Sequence, residues 1–177
     1  MVIILKKILK VLLSYASCIS IRNKNKVILG SWFGNKFADN SKYLFKEMLK
    51  YEGIRPIWIT KNMDIYKEML EENYEVYLSN SIKGVYHQLT ASKYFTSTGK
   101  IDVSYFLLGN AEHIELWHGI PLKKIMYDHK INNDPKRDNE KNLYRRFVDG
   151  PKKKDYYVVS TSNKISEIYQ SAFNVDK

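Results

Sequence analysis

The sequence predicts an α/β protein built on a mostly parallel, doubly wound sheet. Three observations carry that expectation. Short apolar runs alternate with amphipathic segments along most of the chain. Strand-like and helix-like segments follow one another singly, as βαβ units require. The 177 residues suffice for one domain with a real core but are few for two. The composition, 44% hydrophobic and 27% charged, is that of an ordinary globular protein.

Residues 1–22 are expected to form an amphipathic helix at a membrane interface, and residues 23–177 the α/β domain. On a helical wheel Ile4, Leu5, Ile8, Val11 and Leu12 share a face, with Lys6, Lys7 and Lys10 opposite. The three lysines make a full span expensive, and the apolar run after Lys10 is too short for one. A basic stretch before an apolar run also fits a signal peptide, but no small-residue cleavage pattern follows. The competing reading is a helix docked on its own domain.

Val27 to Phe33 reads as the first strand, after a basic hinge from Arg22 to Lys26. Asn40 or Ser41 could cap a helix running to about Tyr51, with Leu44, Phe45, Met48 and Leu49 along one side. Arg55 to Thr60 is a second strand, with Pro56 near its start, where a missing N–H is tolerated. Asn62 to Glu72 is helical and Glu75 to Leu78 a strand. Ser81 to Ser92 is the next helix, then come strands at Tyr94 to Thr98 and His113 to Trp117. Lys123 to Lys154 reads as a polar surface excursion with one short helix near Asn139 to Val148. Tyr156 to Thr161 is a sixth strand and Asn163 to Phe173 a last helix.

The formal net charge of +10 favours an anionic partner, such as a membrane surface, a nucleic acid or a phosphorylated substrate. Lys123, Lys124, Arg145, Arg146 and Lys152 to Lys154 form a possible track for a phosphate-rich acceptor, although charge runs are usually solvated surface. The single Cys18 excludes an intrachain disulfide. His87, His113, His118 and His129 lack metal-ligand spacing, so no metal is expected. Thr96 to Lys100 resembles a P-loop tail, but Tyr94 stands where that loop needs glycine. No GxGxxG follows the first strand, no Ser or Cys sits in a nucleophile elbow, and no cofactor is expected. A nucleic-acid reading rests on charge and tyrosines alone, so no nucleic-acid partner is expected.

The stretch His113 to Lys124, HIELWHGIPLKK, is the chemical candidate. It places an imidazole, His118, at the end of a parallel strand beside Gly119, with Lys123 and Lys124 just beyond. Ligands of open α/β sheets bind outside the carboxyl ends of the strands. Histidine is also the side chain suited to general base work near neutrality. A core histidine in a strand-to-helix turn is the equal alternative from spacing alone.

Trp117-His118-Gly119-Ile120-Pro121-Leu122-Lys123-Lys124 resembles the W-H-G-T-P-L-K signature of the CDP-glycerol glycerophosphotransferases, the polymerases and primases of teichoic acid synthesis. Asp39-Asn40-Ser41-Lys42, closing the segment from Gly30, is similar to that family's D-N-(S/P)-K loop. Tyr157 to Phe173 resembles its later strand and helix, and Ile120 stands where the family commonly has Thr. The resemblance implies the Rossmann-like N-terminal, acceptor-side domain of a GT-B-like fold. It implies transfer of a polyol-phosphate unit from CDP-glycerol or a related CDP-polyol to the hydroxyl of a lipid-linked polyol-phosphate acceptor. The setting would be peripheral, at the cytoplasmic face of the membrane. His118 would be the general base, with Asp39, Gly119, Lys123 and Lys124 binding substrate. The family's second domain carries most of the nucleotide-binding surface, so little turnover is expected of this chain alone. The alternative is a non-catalytic half-domain that binds membrane and polyanion.

Overall fold

The computed structural model describes residues 2–129 and 156–175. The expected helix near Asn139 to Val148 and most of the Lys123 to Lys154 excursion lie outside them. The described strands form one six-stranded sheet, every pairing parallel, in the order β3-β2-β1-β4-β5-β6. They are β1 (Asn23–Leu29), β2 (Arg55–Thr60), β3 (Val76–Leu78), β4 (Ala91–Thr96), β5 (Glu112–Glu115) and β6 (Tyr156–Val158). Helices α1 (Val2–Ile19), α2 (Asp39–Met48), α3 (Met63–Glu71), α4 (Ile82–Thr90) and α5 (Asn163–Phe173) flank it. The doubly wound parallel sheet is therefore present as expected. The strand order reverses between β1 and β4, and such sheets bind ligands in the crevice at that point.

The period-2 alternation of the strands divides the core. Ile28, Ile57, Ile59 and Tyr94 pack on one face, with Val103 and Leu108. Val27, Leu29 and Trp58 pack on the other, with Phe45 of α2 and Met69 of α3. Asn62 caps α3 by accepting from the amides of Asp64 and Ile65, and Ser81 caps α4 through Gly84.

Several boundaries differ from the sequence expectation. β1 begins at Asn23, within the expected hinge, because Lys26 pairs with Arg55 and its ammonium reaches the Thr90 hydroxyl. Trp32 and Phe33, expected to end the strand, instead form a 3-10 turn with positive φ. β4 starts at Ala91 and stops at Thr96, which frees Ser97 and Thr98 for loop contacts. Neither Asn40 nor Ser41 caps α2, because both side chains bond across the sheet instead.

Helix α1 docks on the body. Val11, Ser14 and Ser17 are buried, and the Ser17 hydroxyl accepts from the Gly109 amide at 2.9 Å. A side chain at position 109 would meet Ser17 Oγ and Cys18 Sγ at 2.4 and 2.5 Å, so only glycine permits this approach. Arg22, just past the helix, donates to the carbonyls of Ser17, Gln88, Ala91 and Leu107. The outer face carries Leu5, Ile8, Leu9, Leu12, Tyr15 and Ile19, all exposed. Val11, expected on that apolar face, is turned to the body. Among the described residues no helix is long and apolar enough to cross a membrane.

Candidate active site

Three loops meet beyond the carboxyl ends of β1, β4 and β5, and Asp102 ties two of them. Its buried carboxylate accepts from the amides of Phe33 at 2.7 Å, Ser97 at 2.9 Å and Thr98 at 2.8 Å, and from the Thr98 hydroxyl. Three main-chain donors converging on one carboxylate hold the β1 loop against the β4 loop.

Ser97 is the hub. Its hydroxyl lies 2.6 Å from that of Ser41 and accepts from the Ser41 amide at 3.1 Å. Its carbonyl lies 2.8 Å from His118 Nδ1. A carbonyl can only accept, so Nδ1 carries the proton and the neutral ring keeps its lone pair on Nε2. The ring is exposed, in van der Waals range of Trp117, with centroids 4.2 Å apart.

The backbone turns sharply to place that ring. Trp117 has φ of 55°, a left-handed conformation that costs a non-glycine residue roughly 1–2 kcal/mol. It is held there from three sides. Its amide donates to Glu115 Oε1 at 3.2 Å, its carbonyl accepts from the Asn40 side chain at 2.8 Å, and its indole meets Phe173 edge-on at 5.0 Å. Tyr169 of α5 donates to the Gly119 carbonyl at 3.1 Å. β5 ends at Glu115, short of the expected Trp117, so His118 lies in the turn three residues beyond it.

Asp39 opens α2 with φ of 59°, and its Oδ2 is buried with no hydrogen-bond partner among the described residues. Its neighbours Asn40 and Ser41 bind the Trp117 carbonyl and Ser97, so the predicted D-N-S loop and the histidine turn share one edge. The His118 ring is oriented by Ser97, not by Asp39. Gly119, Lys123 and Lys124 are all exposed at or after the turn. The core-histidine alternative does not hold for His118, which is exposed, whereas His113 is a core histidine. It is stacked between Tyr94, at 4.3 Å, and Tyr156, at 4.7 Å. Among the described residues no three His, Cys, Asp or Glu side chains gather as a metal ion would need.

Glu115 was not foreseen. It is 1% exposed beneath the turn. Thr96 donates to its Oε2 at 2.6 Å and lies 2.7 Å from His113 Nε2, so the hydroxyl links the two side chains. Burial pushes the Glu115 carboxyl up to about 7, aided by nearby Asp102 and opposed by the Thr96 hydroxyl, the Trp117 amide and His118. An unfolded glutamate loses its proton near 4.3, so the folded chain holds one more proton from there to about 7. Stability therefore falls as pH rises through that window, by roughly 3–4 kcal/mol in all, and levels off above it. Glu115→Gln removes this titration. The urea midpoint of wild type should fall relative to the variant between about pH 5 and pH 7.5. A pH-independent difference between the two would contradict a carboxyl titrating near neutrality.

An open parallel sheet with its polar site outside the strand ends is the Rossmann-like half of a GT-B-like fold, and solved structures agree. The wall teichoic acid polymerase TagF matches with a TM-score of 0.66 and 22% identity, covering 99% of this chain and 42% of that one. The chain belongs to the CDP-Glycerol:Poly(glycerophosphate) glycerophosphotransferase family, whose model matches residues 12–177. It is 30% identical over 156 residues to a teichoic acid poly(glycerol phosphate) polymerase of Staphylococcus epidermidis, an alignment covering 87% of this chain and 21% of that protein. It is 28% identical over 159 residues to a teichoic acid glycerol-phosphate transferase of Staphylococcus aureus, covering 88% and 39%. The chain thus spans well under half the length of these relatives.

Proposed function

We propose that the chain is the acceptor-side half of a polyol-phosphate transferase of teichoic acid synthesis, with His118 as general base. The donor is CDP-glycerol or a related CDP-polyol, and the acceptor is the terminal hydroxyl of a lipid-linked polyol-phosphate chain. The observation that carries this reading is the Ser97 carbonyl on His118 Nδ1, which leaves Nε2 as a proton acceptor at an exposed edge. Family membership supplies the substrate class.

In the reaction the acceptor oxygen forms a bond to the donor phosphorus, and the bond from that phosphorus to the CMP oxygen breaks. His118 Nε2 takes the hydroxyl proton as the oxygen attacks, and CMP carries away the negative charge. The Gly119 turn and Lys123, with Lys124 beside it, offset charge that builds on the phosphoryl oxygens. Asp39, with its unpartnered buried oxygen, accepts from an acceptor hydroxyl.

The outer stripe of α1 holds the protein to the membrane surface. Its apolar side chains are solvent-exposed in the isolated chain, and the net charge of +10 suits anionic head groups. Removing the whole helix would also strip Ser17, with its bonds to Gly109 and Arg22, from the body, so point changes test the idea more cleanly. Leu9→Glu with Leu12→Glu should abolish flotation with anionic vesicles while leaving the fold intact by circular dichroism. Flotation equal to wild type would refute the interfacial role. The transferase reading is tested by supplying a donor-binding half from a relative and following glycerol-phosphate transfer from CDP-glycerol. Transfer that persists in His118→Ala sinks it.

A further inference from the structure

A cavity of about 420 Å³ lies beneath α1, on the far side of the Asp102 clamp from His118. It sits at the carboxyl ends of β2, β3 and β4, which supply Lys61, Ser79 with Asn80, and the segment from Ile101 to Phe106. Its polar lining is made of groups that can donate hydrogen bonds. These are the Lys10 and Lys61 ammoniums, the Ser14, Ser79 and Ser104 hydroxyls, and the Asn80 amide. No acidic side chain lines it among the described residues.

The two lysines line one cavity without an acid in the lining. Lys61 donates to the carbonyls of Phe33, at 2.9 Å, and Ile101, which leaves one of its three N–H groups for a ligand. Burial lowers the Lys61 pKa, and the Lys10 charge lowers it further against the pull of Asp102. Lys10, an exposed residue at the cavity wall, sets its ammonium over the Phe106 ring at 5.5 Å. Two like charges in a lining without an acid are relieved by an anion. The roof of the cavity is the helix whose outer face is the exposed apolar stripe.

We propose that this cavity binds a phosphate group carried on a hydroxylated head group. The ammoniums take the phosphate, and the serine hydroxyls and Asn80 take the polyol. The same chemistry arises from a free polyol phosphate or from a phospholipid head group reached along α1. The choice of a polyol phosphate as probe rests on the transferase reading, but the test involves no transfer.

In one arm sn-glycerol 3-phosphate is titrated into the full 15N-labelled chain. In the other the chain is floated with phosphatidylglycerol or phosphatidylcholine vesicles. Saturable shifts of the Ser79, Asn80 and Ser104 amides, weakened about tenfold by Lys10→Gln, identify the free compound. Selective flotation with phosphatidylglycerol that Lys10→Gln weakens as much, without those shifts, identifies the lipid head group. Lys61→Gln is the second variant, with near-UV circular dichroism reporting whether its loop survives the lost carbonyl bonds. Lys50→Gln, in an exposed pair with Glu47 beyond α2, is the charge-matched control. Absence of both effects, or equal weakening by Lys50→Gln, overturns the proposal. His118→Ala should bind in the cavity like wild type, so a failure of the base assignment and a failure of the cavity are told apart.

Discussion

His118→Ala is expected to lower glycerol-phosphate transfer by about 10²–10⁴-fold when the chain works with a donor-binding half. The loss should fall on kcat with KM little changed, because the imidazole acts on the attacking hydroxyl as its proton leaves. Stability should hardly move, since the ring is exposed and its contact with Ser97 is to a carbonyl that water can satisfy. His118→Gln is the sharper variant. Its side-chain amide can still donate to the Ser97 carbonyl, but it cannot take up a proton. Activity near wild type in His118→Gln would mean that the ring serves shape rather than proton transfer.

Asp102→Ala is expected to be the most damaging single change in the described loops. Its carboxylate receives three main-chain amides and one hydroxyl in a fully buried position. Removing it strands those donors, each worth about 1–3 kcal/mol when left unpaired, so a loss of at least about 3 kcal/mol follows. The same change releases Ser97, and with it the carbonyl that orients His118. Transfer should therefore fall even under conditions where the variant stays folded. Urea denaturation reads the first effect, and transfer assayed well below the unfolding midpoint reads the second. A loss under 1 kcal/mol would show that water replaces the carboxylate and that the clamp is not structural.

The sheet was legible because parallel strands buried on both faces leave continuous apolar runs, as at Val27 to Leu29 and Pro56 to Ile59. Strand ends were less legible, because tertiary pairing decides them. Lys26 reads as hinge by composition yet pairs with Arg55, and Trp32 and Phe33 read as strand yet turn to positive φ. The histidine turn was visible as a motif, but its geometry was not. Ser97 carries its role through a main-chain carbonyl, which no side-chain pattern announces. Asp102 is an ordinary acid in a loop until three amides are seen to point at it. Glu115 did leave a signal. It shares a strand face with His113, two residues away, in a run expected to be buried. Two titratable groups on one inward face are a reason to look for a shared partner, which here is Thr96.

The tautomer of His118 is the most direct test of the account. Nitrogen-15 NMR of the ring, recorded on the full chain at a pH where the imidazole is neutral, distinguishes protonated from bare nitrogen. A proton on Nδ1 and a bare Nε2 are the predicted result. A proton on Nε2 would leave no base facing the acceptor hydroxyl and would contradict the mechanism at its first step.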